Sequence, residues 1–104
     1  MSTIREMTAQ VVEWIDPLIP NDQRDPMNTC IKMTEEVSEL MHAIHTGNSV
    51  KDIGGECADV LILLLDVAFL NNVDLEQAFH NKMNTNMLRT WKEKNGSLKH
   101  ETDR

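Results

Sequence analysis

The sequence predicts an all-α fold: a four-helix bundle whose core is completed by dimerisation. Three observations predict it. Apolar residues recur at three- and four-residue intervals in four segments, and no run alternates apolar with polar as a half-buried strand does. Residues that start and stop helices bracket each segment. The third segment is apolar on every side, and a lone four-helix chain of 104 residues has too little protein to cover it.

The first helix spans about residues 2–16. Thr3-Ile-Arg-Glu6 has capping-box spacing, and Ile4, Met7, Val11, Trp14 and Ile15 follow at helical intervals. The stretch from Pro17 to Pro26 holds all three prolines and is a connection, with a lid as its functional reading. Asp25-Pro26 opens the second helix with an N-cap acid and a first-turn proline, and Gly47 stops it. Ser49 opens the third helix, which runs to Leu70 and ends at Asn71-Asn72. Asp74-Leu-Glu-Gln77 repeats the capping-box pattern and opens a fourth helix ending near Trp91 to Lys94. Residues 1–94 are therefore expected to form one helical domain, with 95–104 a polar, mobile tail.

Seventeen acidic and ten basic residues give a net charge of −7, so no direct nucleic-acid binding is expected. A nucleotide substrate remains compatible, because bound cations reverse the sign of a local site. Cys30 and Cys57 lack CxxC spacing, and MSTIREMTAQ has no apolar leader core. They read as reduced thiols of a cytoplasmic protein. The most apolar run, Ala58 to Leu70, is interrupted by Asp59 and Asp66 and is too short to span a bilayer, so no membrane partner is expected.

The chemistry is concentrated on the second and third helices. On a wheel of about 100° per residue, Met33, Val37, Leu40 and Ile44 form the seam expected to pack on a neighbour. Beside it run Asn28, Lys32, Glu36, Glu39 and Ala43, so Glu36 and Glu39 project together with Glu35 flanking. Glu56, Asp59 and Asp66 share one stripe of the third helix. A short turn makes these helices antiparallel, and both acidic pairs lie at similar distances from it, so they should meet.

Four facing carboxylates repel, by about 1 kcal/mol per pair at ~4 Å in water and by more at lower dielectric. A cation among them removes the conflict. An all-oxygen set favours Mg²⁺, Mn²⁺ or Ca²⁺ over zinc. The structural alternatives are a solvated face for Glu35, Glu36 and Glu39, and an Asp66 satisfied by Lys82, Arg89 or Lys32. On the fourth helix Leu75 and Phe79 share a side with Lys82, Asn86 and Arg89, turning an apolar face into one suited to phosphate oxygens, or into plain solvent surface. Trp14, Trp91 and Phe79 are available to stack on a base, although tryptophan at helical spacing is more often core.

Glu35-Glu36-Val-Ser-Glu39, sixteen residues, then Glu56-Cys-Ala-Asp59 resembles the EExxE…ExxD signature of the MazG-like all-α NTP pyrophosphohydrolases. The downstream Lys82, Asn86 and Arg89 match the KxxxNxxR element of that family, and the resemblance covers about residues 28–91. It implies a MazG-like bundle that hydrolyses an NTP or dNTP to the monophosphate and pyrophosphate, dependent on Mg²⁺ with Mn²⁺ as substitute. It implies Glu36, Glu39, Glu56 and Asp59 as metal ligands, and Glu35 as a residue that supports them or positions water. Lys82, Asn86 and Arg89 are implied near the substrate phosphates, and Asn28, with Lys32, in nucleotide binding. Water is the implied nucleophile and pyrophosphate the leaving group. A homodimer or a dimer of dimers, with sites near subunit interfaces, is implied as well.

Three readings compete. A non-catalytic helical regulatory dimer would bind metal without turnover, and a phosphoribosyl-ATP pyrophosphohydrolase would share the metal site. A di-iron carboxylate bundle needs two ExxH motifs, and only Glu39-Leu-Met-His42 supplies one.

Overall fold

The computed structural model describes residues 2–101. In chain order these form α1 (Ile4–Ile15), α2 (Pro26–His45), α3 (Val50–Leu70) and α4 (Leu75–Leu88), then an antiparallel hairpin of β1 (Trp91–Lys94) and β2 (Ser97–His100). One 3-10 turn, Asn21–Gln23, lies in the α1–α2 connection.

Each helix begins where a side chain takes up amides that have no partner inside the helix. Thr3 Oγ1 accepts from the Glu6 amide and Glu6 accepts from the Thr3 amide, both at 3.1 Å, completing the predicted box. Asp25 accepts from the Met27 amide, and Ser49 from the Asp52 amide. At α4 only half of the expected box forms: Asp74 accepts from the Gln77 amide, while the Gln77 side chain donates to Asn81.

The ends of α2 and α3 repeat one device. Gly47 takes φ 71, its amide bonds to Ile44 and the Asn48 amide to Ala43. Asn72 takes φ 57, its amide bonds to Phe69 and the Val73 amide to Ala68. Both are Schellman caps, with glycine or asparagine at the left-handed position.

The short connection folds α3 back along α2, α1 lies against α3, and α4 against α1. Arg5 ties the last pair together, 2.9 Å from Asp74 and 2.7 Å from Glu76, while Glu76 also accepts from the Ile4 amide. Among the described residues, Val11, Ala43, Leu65 and Ala68 are the buried apolar ones.

Two expectations change. The least exposed line of α2 is Met33, Glu36, Leu40 and Ala43, whereas Val37 and Ile44 of the expected seam are exposed. Ala43 permits close approach of the backbones near the turn, and the roll towards it carries Glu36 inward. The fourth helix stops at Leu88, and residues 91–100 form a hairpin where helix end and mobile tail were expected. Asn95 and Gly96, at φ 53 and 80, supply the two left-handed residues of the tight hairpin turn. Trp91 then sets its ring 5.5 Å from that of His100, tilted by 50°, and donates its indole N–H to the Asn86 carbonyl at 2.6 Å. The remainder of the expected tail, 102–104, lies outside the described residues. No helix among the described residues is long and apolar enough to cross a membrane.

Candidate functional site

Glu36 from α2 and Glu56 and Asp59 from α3 offer carboxylate oxygens that all lie within 4.8 Å of one another. The three-residue spacing puts Glu56 and Asp59 on one side of α3, and the roll of α2 turns Glu36 towards them. Glu36 is only 9% exposed. Lys32, one turn earlier, holds its ammonium 3.3 Å from Glu36 and 3.6 Å from Glu35. A hydrogen bond to Glu36, then the charges of Glu36 and Glu35, raise the Lys32 pKa.

Glu39 joins the group from the next turn. The charge of Glu36 and a hydrogen bond with it, then desolvation and the charge of Glu56, raise the Glu39 carboxyl above the ordinary carboxylate range. Like charges crowded together favour the protonated form. Glu56 Oε2 is buried with no hydrogen-bond partner, an arrangement that native interiors rarely leave unexplained. An unpartnered buried oxygen in an all-oxygen cluster fits a hard divalent cation. Three of the four predicted ligands, Glu36, Glu56 and Asp59, thus converge, while Glu39 lies exposed beside Glu36 and Glu35 stays exposed at the rim.

Clefts open on two sides of the cluster. Glu39 and Glu56 line one of about 430 Å³ with Ser38, His42 and Asn48. Glu36, Asp59 and Lys32 line the other, about 240 Å³, against Trp14, Ile62 and Asp66. A further cleft of about 270 Å³ shares Ile15, Lys32, Leu63 and Asp66 with the second and continues to Asn28 and Gln23. Asn28 and Lys32 therefore border the same continuous groove, as their stripe on α2 suggested.

Asp66 is 2% exposed, and its partner is none of the three expected cations. Arg24 grips it with a two-pronged contact, Nε to Oδ2 at 3.1 Å and Nη2 to Oδ1 at 3.0 Å. The Arg24 Nη1 donates to Asp16 and to the Ile19 carbonyl, both at 2.6 Å. Burial alone would lower the Arg24 pKa, but the hydrogen bonds and charges of Asp16 and Asp66 outweigh it and raise the value. The connection is pinned to α1 and α3 by this guanidinium rather than hanging as a free lid. Arg24 sits among prolines with no periodicity, so no helix wheel could reveal it.

The basic stripe of α4 lies elsewhere. Lys82 lines an apolar groove with Leu61, Leu64 and Phe79. Leu61 follows Asp59 by two residues, roughly 200° around α3. Within one chain the groove that Lys82 lines thus lies on the opposite side of α3 from Asp59. Asn86 Oδ1 is a second buried oxygen without a partner. Of the three candidate stacking residues, Phe79 lies in the α4 groove, Trp91 packs in the hairpin, and Trp14 lines the carboxylate cleft. Cys30 and Cys57 are free thiols.

Comparison with known proteins extends this geometry. Residues 24–89 match the model of a MazG nucleotide pyrophosphohydrolase domain. A Cyanophage S-2L protein named dATP/dGTP diphosphohydrolase is 37% identical over 100 residues, covering 95% of this chain and 89% of that one. A Salmonella phage PMBT28 protein of the same name is 33% identical over 102 residues, covering 97% of this chain and 32% of its own greater length. The fold is similar to a solved Cyanophage S-2L MazG-like pyrophosphohydrolase bound to dGDP and three catalytic Mn²⁺ ions per active site. That similarity has a TM-score of 0.78 with 39% identity, over 96% of this chain and 98% of the other.

Proposed function

The chain belongs to the MazG nucleotide pyrophosphohydrolase family, and from that premise we propose that it cleaves purine deoxynucleoside triphosphates to the monophosphate and pyrophosphate with Mg²⁺ or Mn²⁺. One observation carries the reading: carboxylates from two helices converge within 4.8 Å around a buried glutamate oxygen that has no protein partner. The purine assignment is supported by two relatives named dATP/dGTP diphosphohydrolase.

Glu36, Glu39, Glu56 and Asp59 would hold the metal. Bound there, a divalent cation supplies the positive charge that draws a triphosphate to an acidic site and steadies charge growing on its oxygens. Glu35, exposed at the rim and loosely paired with Lys32, orients the attacking water and accepts its proton. Lys32 and Asn28 border the groove on the nucleotide side.

Lys82, Asn86 and Arg89 come to the phosphates from a second copy of the chain. Two facts support this: the groove that Lys82 lines lies across α3 from Asp59, and Leu61, Leu64, Val37 and Ile44 leave exposed apolar surface for that copy to cover. Their guanidinium and ammonium groups suit charge on departing pyrophosphate.

The test is a panel of NTPs and dNTPs with Mg²⁺, scored for monophosphate and pyrophosphate, with phosphoribosyl-ATP included. Chelator should abolish turnover. Glu56→Gln and Asp59→Asn should each lower it by more than the roughly 10- to 100-fold typical of changes behind the metal ligands. Metal binding without turnover would favour a regulatory dimer, and turnover of phosphoribosyl-ATP alone would redirect the substrate.

A further inference from the structure

The paired helices α2 and α3 are fastened differently at their two ends. Next to the connecting turn Ala43 is buried, and the backbones approach closely. Away from the turn packing is thin: no residue of α2 before Glu36 is buried, and Met27 and Ile31 are exposed. What closes that open end is an ion pair. Arg24, two residues before α2 begins, has a side chain only 4% exposed and grips Asp66, near the C-terminal end of α3.

The carboxylates lie between these two fastenings. The groove bordered by Lys32 and Leu63 has Arg24 and Asp66 at one end and Glu36 with Asp59 at the other. We propose that Arg24 is a positioning residue for the reaction: by latching the start of α2 to α3, it keeps Lys32 and Glu36 at working distance from Asp59. The proposal rests on the nucleotide reading above.

The donor count fits a latch and not a substrate contact. A guanidinium has five N–H donors. Four are spent inside the protein, on the two Asp66 oxygens, on Asp16 and on the Ile19 carbonyl. Asp16 is the C-cap of α1, so the same group ties α1 into the latch. Lysine would keep the charge, but not the planar fork that makes these bonds together.

Geometry gives the latch leverage. Two rods joined only near Ala43 open about that point, and displacement grows with distance from it. At ~1.5 Å per residue, Glu36 lies about 10 Å along α2 from Ala43, and Lys32 about 16 Å. Loosening Arg24 therefore shifts Lys32 more than Glu36, and disturbs the nucleotide more than the metal.

The experiment compares the unaltered protein with Arg24→Lys and with an Arg24→Met, Asp66→Leu double variant. The double variant removes both buried charges and leaves Asp16, whose side chain is 39% exposed, to solvent. Apolar replacement of a buried ion pair is often neutral or stabilising, so its melting temperature should stay close to that of the unaltered protein. Both variants should nonetheless lose about 10- to 100-fold in kcat/KM for dATP, mostly as a rise in KM, as groups displaced by about an ångström do. Calorimetric affinity for a dATP analogue that resists α,β cleavage should fall by the same factor. Mn²⁺ affinity without nucleotide, read by electron paramagnetic resonance, should change less. If Arg24 served stability alone, activity would return with stability in the double variant. Unchanged kcat/KM in either variant overturns the positioning role and leaves hydrolysis intact. An unaltered protein that neither binds nor cleaves any deoxynucleotide overturns the underlying reading as well.

Discussion

Glu39 shows how the site weakens its own fold. Its pKa is raised by Glu36 first, and by Glu56 among the smaller causes, so the native state holds this proton more tightly than the unfolded chain does. The associated stability is present below the ordinary carboxylate range and is lost as pH rises through the raised native value. Metal-free protein should therefore melt at a lower temperature as pH climbs through that window. Glu39→Gln should flatten the profile, and Mg²⁺ should restore stability to the unaltered chain by binding the native form. Melting curves against pH, with chelator and with Mg²⁺, check all three. The converging acids were legible in the sequence because helix periodicity and a short turn fix where such pairs point. The Arg24–Asp66 pair was not, because its cation lies in an aperiodic connection. Arg24→Ala leaves Asp66 buried without its partner and should cost roughly 3 kcal/mol in urea unfolding.

The helices were legible at their ends, where capping side chains and left-handed residues act locally. Thr3, Asp25, Ser49 and Asp74 each cap the helix they were expected to open, and Gly47 and Asn72 close theirs. The hairpin is hidden because Trp91 continues the helical spacing, while the turn signal Asn95-Gly96 sits in a polar stretch with no alternating apolar flanks. Backbone geometry separates two glycines that look alike in sequence. Gly47 sits at φ 71, so Gly47→Ala should destabilise by about 1 kcal/mol. Gly54 lies inside α3, and a Cβ there would meet nothing within 4 Å. Gly54→Ala should stabilise by roughly 0.5–1 kcal/mol. Urea titrations of the two variants should move in opposite directions.

The chain as a whole exposes much of what it should bury. Among the described residues only Val11, Ala43, Leu65 and Ala68 are buried apolar side chains, and α3, apolar on every side, leaves Leu61 and Leu64 open. Sequence periodicity forecast that excess, but which face meets a partner depends on the roll of α2 and on how α4 docks on α1, and neither is local. A shared site predicts complementation. Glu56→Gln and a Lys82→Ala, Asn86→Ala double variant should each be nearly inactive, and mixing them through unfolding and refolding should recover activity. Recovery requires that one subunit supply the carboxylates and another the α4 stripe. No recovery, with mixed oligomers demonstrated, would assign α4 to its own chain.

Diffraction from crystals grown with Mn²⁺ tests most directly whether α2 and α3 together hold a divalent ion. An anomalous peak is expected within reach of the Glu36, Glu56 and Asp59 oxygens, and it should be absent from Glu56→Gln crystals. Ordered carboxylates turned away from one another, with no peak at saturating Mn²⁺, would contradict it.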